Sequence, residues 1–252
     1  MAENISVTIL TKNSATYLAE CLGALVAFDE VVVLDNGSTD DTIAIARGFA
    51  NVTVHEHPFI GFGPMKNLAV DMASNDWILS IDSDEIVTPE LAREILGLEL
   101  DKSRLYAIER DNYYHGRLIR GCGWDNDQVQ RLFNRTYARF NERLIHEGLA
   151  GRDDMKTVLL RGRLKHYSYD EASQLLQKMQ QYSTLWAEEN RGRKTSTPLM
   201  AILNGMLTFF KSYLLQNGWR YGYEGLLISV SNANGAFYKY IKLYEVERSD
   251  HL

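Results

Sequence analysis

Short apolar runs alternate with stretches of helical spacing over the first hundred residues. Ile5 to Leu10 reads as a strand, and Asn13 or Ser14 can cap a helix that puts Leu18, Cys21, Leu22 and Leu25 on one face. Glu30 to Asp35 is apolar on both faces, as in a parallel sheet, and ends in Asp35-Asn36-Gly37-Ser38. Ser38 followed by Asp41 resembles a capping box opening a helix through Phe49. Val52 to His55 predicts a third strand, Lys66 to Ala73 a helix, and Trp77 to Asp82 a fourth strand. Thr88-Pro89-Glu90 then starts another helix, with Thr as cap and Pro at the first helical position. This alternation predicts a doubly wound α/β sheet, in which ligands bind beyond the carboxyl ends of the strands. Asp35 and Asp82 both stand at such ends, so they are expected to meet in one crevice.

After residue 100 the pattern changes. Arg104 to Arg110, Gln128 to Phe133 and Leu164 to Tyr169 read as strands joined by polar loops, which suggests antiparallel pairing. From Asp170 the chain turns helical, with Ala172, Leu175, Leu176, Met179, Tyr182, Leu185 and Trp186 at helical spacing. Thr197-Pro198 starts a second helix ending near Gly218, and a third runs from about Glu224 to Glu245. Arg191-Gly192-Arg193-Lys194 is the expected linker. The domain reading is therefore 1–170 for the α/β part and 171–252 for a helical region.

Composition narrows the classes. The chain has 252 residues, enough for one large domain or one with an appendage, and 45% hydrophobic residues supply a core. A net charge of −6 argues against nucleic acid as partner, since that would need a basic face. Cys21 and Cys122 have neither metal-ligand spacing nor a disulfide framework, which points to a reducing compartment. A strand begins within a few residues of Met1, so no signal peptide is expected. No run of about 18 uncharged apolar residues marks a membrane-spanning helix.

Trp77-Ile78-Leu79-Ser80-Ile81-Asp82-Ser83-Asp84-Glu85 carries the most chemistry. An apolar strand ends in two carboxylates one residue apart. Ionised Asp at a buried strand tip is costly unless a cation pairs with it, and a divalent metal is the economical partner. Oxygen ligands suit Mg²⁺ or Mn²⁺, which often hold a substrate's phosphates as well. Taken alone, the motif also fits a strand running into a solvated acidic turn, and Asp35 in Asp-Asn-Gly also fits a turn former.

The order of motifs is more specific. Ser6-Val7-Thr8-Ile9-Leu10-Thr11-Lys12-Asn13 is followed by Val33-Leu34-Asp35-Asn36-Gly37-Ser38-Thr39-Asp40. Gly61-Phe62-Gly63-Pro64-Met65-Lys66-Asn67 and Ile81-Asp82-Ser83-Asp84 come next. Over roughly residues 5–170 this series resembles the family 2 glycosyltransferases of the GT-A fold, inverting enzymes that use nucleotide sugars. The resemblance implies a GT-A sheet, Rossmann-like and mixed, flanked by helices, with a helical C-terminal extension. It implies donor contacts from Thr11, from Asp35 or Asn36 to uracil, and from Lys66, Asp82 and Ser83. It places Mg²⁺ or Mn²⁺ on Asp84, with Asp82 and His166 as further candidates. For the base that takes the acceptor proton the choice is Glu147, with Asp127 and Asp125 behind it. His146, a lone His beside apolar residues, reads more readily as a structural hydrogen bonder than as a ligand.

Glu109-Arg110-Asp111-Asn112-Tyr113-Tyr114-His115-Gly116-Arg117, Gly123-Trp124, Gln130-Arg131-Leu132-Phe133, His146-Glu147 and Lys165-His166-Tyr167-Ser168-Tyr169 look like the bacterial lipopolysaccharide inner-core β-1,4-glucosyltransferases. That resemblance implies transfer of a hexose, glucose from UDP-glucose, to a core heptose. Related transferases for capsule, O-antigen or protein acceptors share pieces of it, and a non-catalytic sugar-nucleotide-binding module is a further alternative. Arg110, Arg117, Arg120 and Arg131 suit an acidic acceptor or are ordinary surface charge. Finally, residues 198–216 form a wide apolar arc beside basic and aromatic residues. That arc suits peripheral attachment to the cytoplasmic face of the inner membrane, where a glycolipid acceptor would lie. It equally suits burial against the catalytic part or a second copy in a homo-oligomer.

Overall fold

The computed structural model describes residues 4–141, 148–152 and 154–249. Its strands are β1 (Ile5–Thr11), β2 (Glu30–Asp35), β3 (Val52–Glu56), β4 (Trp77–Asp82), β5 (Glu85–Val87), β6 (Arg104–Tyr114), β7 (Arg117–Leu118), β8 (Asp127–Asn134), β9 (Ala138–Phe140), β10 (Leu149–Gly151) and β11 (Lys156–Tyr169). Its helices are α1 (Ala15–Gly23), α2 (Thr42–Ala46), α3 (Phe62–Met72), α4 (Pro89–Leu96), α5 (Ala172–Asn190), α6 (Pro198–Phe210) and α7 (Gly222–Ser249). The chain divides into two compact units, residues 1–111 with 126–166, and residues 112–125 with 167–252.

The first unit is built on a mixed sheet with strand order β3-β2-β1-β4-β8-β6-β11-β5. β3, β2, β1 and β4 run parallel, and β8 joins β4 antiparallel. Of these, β1, β2 and β4 are buried on both faces, as their continuous apolar runs require: Val31, Val33 and Leu34 in β2 and Ile78 and Leu79 in β4 are fully buried. Val32, Val70, Ile78, Leu105 and Phe133 share one core cluster. Each such side chain contributes about 1.5–3 kcal/mol by leaving water. This is the GT-A arrangement. It puts the carboxyl ends of β2, β1 and β4 side by side, with Thr11 in register with Asp35 and Leu10 with Asp82.

Local chemistry explains the helix starts. Thr88 caps α4 by accepting from the Leu91 amide at 3.3 Å, with Pro89 at the first position. α2 is shorter than its spacing predicts, spanning Thr42–Ala46. Ser38 does not cap it; its hydroxyl and amide both bond Asp35 instead. β5, β7, β9 and β10, of two or three residues each, are too short for periodicity to reveal.

The second unit packs α5 and α6 against α7. The 112–125 segment groups with these helices because Tyr114, Ile119 and Cys122 bury together with Leu175 and Ile228. Gly225 is required there: a Cβ would lie 1.8 Å from the Gly218 carbonyl oxygen. Arg191-Gly192-Arg193 turns the chain between α5 and α6, with Gly192 at φ +68°. α6 continues through a π-helical turn, Lys211–Leu215. Pro198–Leu215 reaches the length and mean hydropathy (1.2) of a membrane-crossing helix by composition alone, with Lys211 as its charge, and only 17% of it is buried. Leu199, Leu207 and Leu215 are 65%, 67% and 80% exposed. Cys21 and Cys122 are both free and buried.

Candidate active site

The loops after β1 and β2 are laced together by small polar side chains. Asp35 is completely buried and accepts from the Gly37 and Ser38 amides at 2.8 and 2.7 Å on one oxygen. Its other oxygen accepts from the Thr11 hydroxyl at 2.8 Å and the Ser38 hydroxyl at 2.5 Å. Burial alone would raise this carboxyl; the bonds from Ser38, Thr11 and Gly37 hold it below the ordinary aspartate value. Asn13, in the left-handed region at φ 49°, donates its amide to Ser38 Oγ and accepts from Thr39 N, both at 2.8 Å. Asp35 and Thr11 thus spend their polar atoms on the turn itself. Asn36 does not: its Oδ1 is buried and has no hydrogen-bond partner among the described residues. Lys12, on the exposed side of the same turn, donates to the Asn36 carbonyl at 3.0 Å.

At the tip of β4 the cations demanded by Asp82 come from the protein. Lys66 Nζ lies 3.0 Å from Oδ1 and Arg131 Nη2 lies 2.5 Å from Oδ2. Lys66 is nearly buried on α3, with its ammonium 5.3 Å from the Phe140 ring centroid. Arg131 reaches Asp82 because β8 runs antiparallel to β4, with Leu132 opposite Leu79. Burial would push Asp82 up, but Arg131 and then Lys66 hold it far below the usual carboxylate range. Two protein side chains thus already place positive charge on Asp82.

Glu85, which sequence reasoning passed over, completes the network. It is fully buried, accepts from Arg131 at 2.5 Å and from Arg110 at 3.2 Å, and takes the Asp82 amide at 2.9 Å. Arg110 also forks onto Asp127, at 2.9 Å from Nε and 2.8 Å from Nη2. A third carboxylate following Asp-x-Asp was the signal for Glu85, hidden because β5 has only three residues. The arginines expected for an acidic acceptor are therefore largely spent inside the protein. Arg110 and Arg131 hold Glu85, and Arg117, in the second unit, bonds Glu224 at 2.9 Å.

Asp84 and His166 come together, with Oδ2 and Nε2 3.7 Å apart. The pairing of β11 with β5, His166 opposite Glu85, brings them there across 82 residues of chain. Asp84 is 41% exposed on its side chain, so it can face a ligand. An oxygen and an imidazole nitrogen suit Mg²⁺ or Mn²⁺, which take few protein ligands and fill the rest with phosphate and water. Among the described residues no three His, Cys, Asp or Glu side chains surround a common point. Ser83 donates to Ser14 Oγ at 2.9 Å, tying the strand tip to the start of α1. Asp125 is exposed and belongs to the second unit, while Glu147 and His146 lie outside the described residues.

With this geometry in view, comparison with known proteins is direct. The sequence profile of Glycosyl transferase family 2 matches residues 6–158, more than half of the chain. The chain belongs to that family. A Rickettsia typhi protein called an uncharacterized glycosyltransferase is similar to this family 2 glycosyltransferase, with 30% identity over 97% of this chain and 88% of the relative. The lipopolysaccharide core biosynthesis glycosyltransferase LpsC of Rhizobium meliloti is 26% identical over 96% of this chain and 92% of its own length. Among solved structures, S. aureus TarS 1-349 in complex with UDP-GlcNAc matches with TM-score 0.49 and 15% identity, covering 98% of this chain and 91% of that one.

The buried network generates a stability prediction. Arg131→Met keeps volume but leaves Glu85 buried with one cation fewer and Asp82 with Lys66 alone. The expected cost is about 3–5 kcal/mol in denaturant unfolding. Since the Asp82 carboxyl is depressed in the folded state, its contribution is full above the unfolded value of about 4 and fades as pH falls below it. The difference between wild type and Asp82→Asn should therefore shrink in acid and not in alkali; an unchanged difference at pH 3 would contradict the ion-pair account.

Proposed function

We propose that this glycosyltransferase transfers a hexose with inversion from a nucleotide sugar, glucose from UDP-glucose, to a heptose of a lipopolysaccharide inner-core glycolipid. The observation that carries the reading is the division of roles at Asp82-Ser83-Asp84. Asp82 is locked by Lys66 and Arg131, which leaves Asp84 exposed beside His166 at the carboxyl edge of the sheet. Family membership supports the reaction class. The name of LpsC, a relative similar over nearly the whole chain, supports the acceptor class.

In this reading Asn36 meets the uracil. An amide with an unpartnered Oδ1 can accept from the N3–H of uracil while its NH₂ donates to an adjacent carbonyl, whereas Asp35 has no lone pair to spare. Asp84 and His166 would hold Mg²⁺ or Mn²⁺, which when bound neutralises charge on the departing diphosphate. Lys66 and Arg131 keep Asp82 ionised and fixed, so the strand tip needs no rearrangement during reaction. Glu147 takes the acceptor hydroxyl proton. The resulting oxygen attacks the anomeric carbon from the face opposite the diphosphate, the C1–O bond breaks, and UDP leaves, turning an α-linked donor into a β-linked product. Asp127 is the weaker candidate base, because its carboxylate is already engaged by Arg110 at 2.8 Å.

Donor hydrolysis across a panel of nucleotide sugars tests the donor assignment, with UDP-glucose expected to turn over fastest. Asp84→Ala should reduce that turnover at least about 10²-fold and remove its dependence on added Mg²⁺ or Mn²⁺. Full wild-type activity in EDTA would refute the metal role. For the base, Glu147→Gln should lower kcat at least about 10²-fold with donor KM nearly unchanged. If Asp127→Asn produces that pattern and Glu147→Gln does not, the roles are reversed.

The glycolipid acceptor also bears on location. The exposed arc of Leu199, Leu203, Leu207, Phe210 and Leu214, with Trp219 and Arg220 nearby, suits the interface of an anionic membrane. We assign the enzyme to the cytoplasmic face of the inner membrane, held peripherally by this arc. Sedimentation with phosphatidylglycerol vesicles should pull down the protein, less so in high salt, and Leu207→Glu/Phe210→Glu should release it. Protein that stays in the supernatant at low salt but elutes as a dimer would assign the arc to a second copy.

A further inference from the structure

The second unit carries an open pocket of about 790 Å³ that the reaction above does not use. Its size falls within the range of small-molecule sites. Its lining is unusual for a chain in which acidic residues outnumber basic ones 33 to 27. Lys178, Lys194, Lys211 and Lys239 all line it, and among the described residues no Asp or Glu does. They come from four separate places: α5, the turn after it, the π-helical turn after α6, and α7. Like charges gathered in one concavity repel each other, and an anionic occupant reverses the sign of that energy.

The remaining walls are aromatic and arranged in pairs. Trp124 and Tyr169 have ring centroids 5.7 Å apart, and Trp186 and Tyr240 have theirs 5.2 Å apart. Each pair carries a lysine: Lys178 Nζ lies 5.0 Å from the Tyr169 centroid, and Lys194 Nζ lies 5.1 Å from that of Trp186. Aromatic faces bind flat, weakly polar C–H surfaces, of which the face of a sugar ring is one. Ser231, Asn204 and Asn232 add neutral polar groups suited to hydroxyls. Lysine binds phosphate as a mobile point charge and needs no fixed fork geometry.

We propose that this cavity is a binding site for a phosphorylated saccharide, with the lysines on phosphate and the aromatic pairs on the sugar ring. The site is complete within the second unit and does not depend on the donor chemistry assigned to the first. It gives the helical unit a ligand of its own, distinct from the apolar arc on α6.

Calorimetric titration of the full-length protein with glucose 6-phosphate, glucose and inorganic phosphate tests it. Glucose 6-phosphate should bind at least about tenfold tighter than either fragment, and more weakly as salt rises. Lys211→Gln/Lys239→Gln removes two charges but keeps the side-chain stems. It should weaken glucose 6-phosphate at least about tenfold while leaving UDP binding and the unfolding temperature unchanged. Trp186→Leu should weaken glucose 6-phosphate but not inorganic phosphate. Phosphate binding as tightly as the sugar phosphate, or a lysine variant indistinguishable from wild type, would overturn the proposal. Displacement of glucose 6-phosphate by phosphatidylglycerol vesicles, lost in the lysine variant, would give the phosphate to a lipid headgroup and overturn the saccharide assignment.

Discussion

The Arg131 guanidinium, nearly buried between Asp82 and Glu85, is the contact on which the catalytic unit depends. Burial would lower the basicity of that side chain, but Asp82 and then Glu85 raise it, so it stays charged throughout the working range. One cation in a low-dielectric setting thereby fixes two carboxylates, and Lys66 and Arg110 share the remaining load. Buried ion pairs of this kind seldom add much net stability over an apolar replacement. They do set geometry, because each lone pair has one partner at one distance. The consequence is a strand tip whose first carboxylate is held by two cations, with the next acidic residue, Asp84, beside His166.

A similar economy operates at the end of β2. Asp35 uses both oxygens to close its own turn, drawing Thr11 and Ser38 onto it. The turn is stiff because an ionised, buried acceptor is satisfied four times over. Stiffness there leaves Asn36 as the polar group with capacity to spare. Residues that look alike in sequence, Asp35 beside Asn36 and Asp82 near Asp84, thus take different parts: the first of each pair is tied into the protein's own network, while Asn36 keeps an unpartnered Oδ1 and Asp84 is 41% exposed.

The helical unit follows different physics. Its helices are held by small-residue contacts, such as Gly225 against the Gly218 carbonyl, and by the apolar cluster around Ile228. Two kinds of surface remain. The outer side of α6 is apolar and exposed, whereas the cavity is basic and aromatic. Separating them on one helix unit follows from helical periodicity: Leu207 and Phe210 point one way, Asn204, Thr208 and Lys211 another.

The strand–helix alternation of the first hundred residues was legible in the sequence because apolar runs buried on both faces need no tertiary information to be recognised. So was the convergence of Asp35 and Asp82, since parallel neighbours place their carboxyl ends together. The family was legible from four motifs in order. The partners of the acidic residues were not. Arg131 and Lys66 lie 49 and 16 residues from Asp82, and only the antiparallel register of β8 and the placement of α3 bring them onto it. Sequence spacing shows that a buried carboxylate requires a cation, but whether metal, lysine or arginine answers is a matter of which strand lies next to it. The lysine cavity was invisible for the same reason. Its four charges are spread over residues 178–239, one or two to a helix or turn, where each reads as ordinary surface charge until the helices close around a common space.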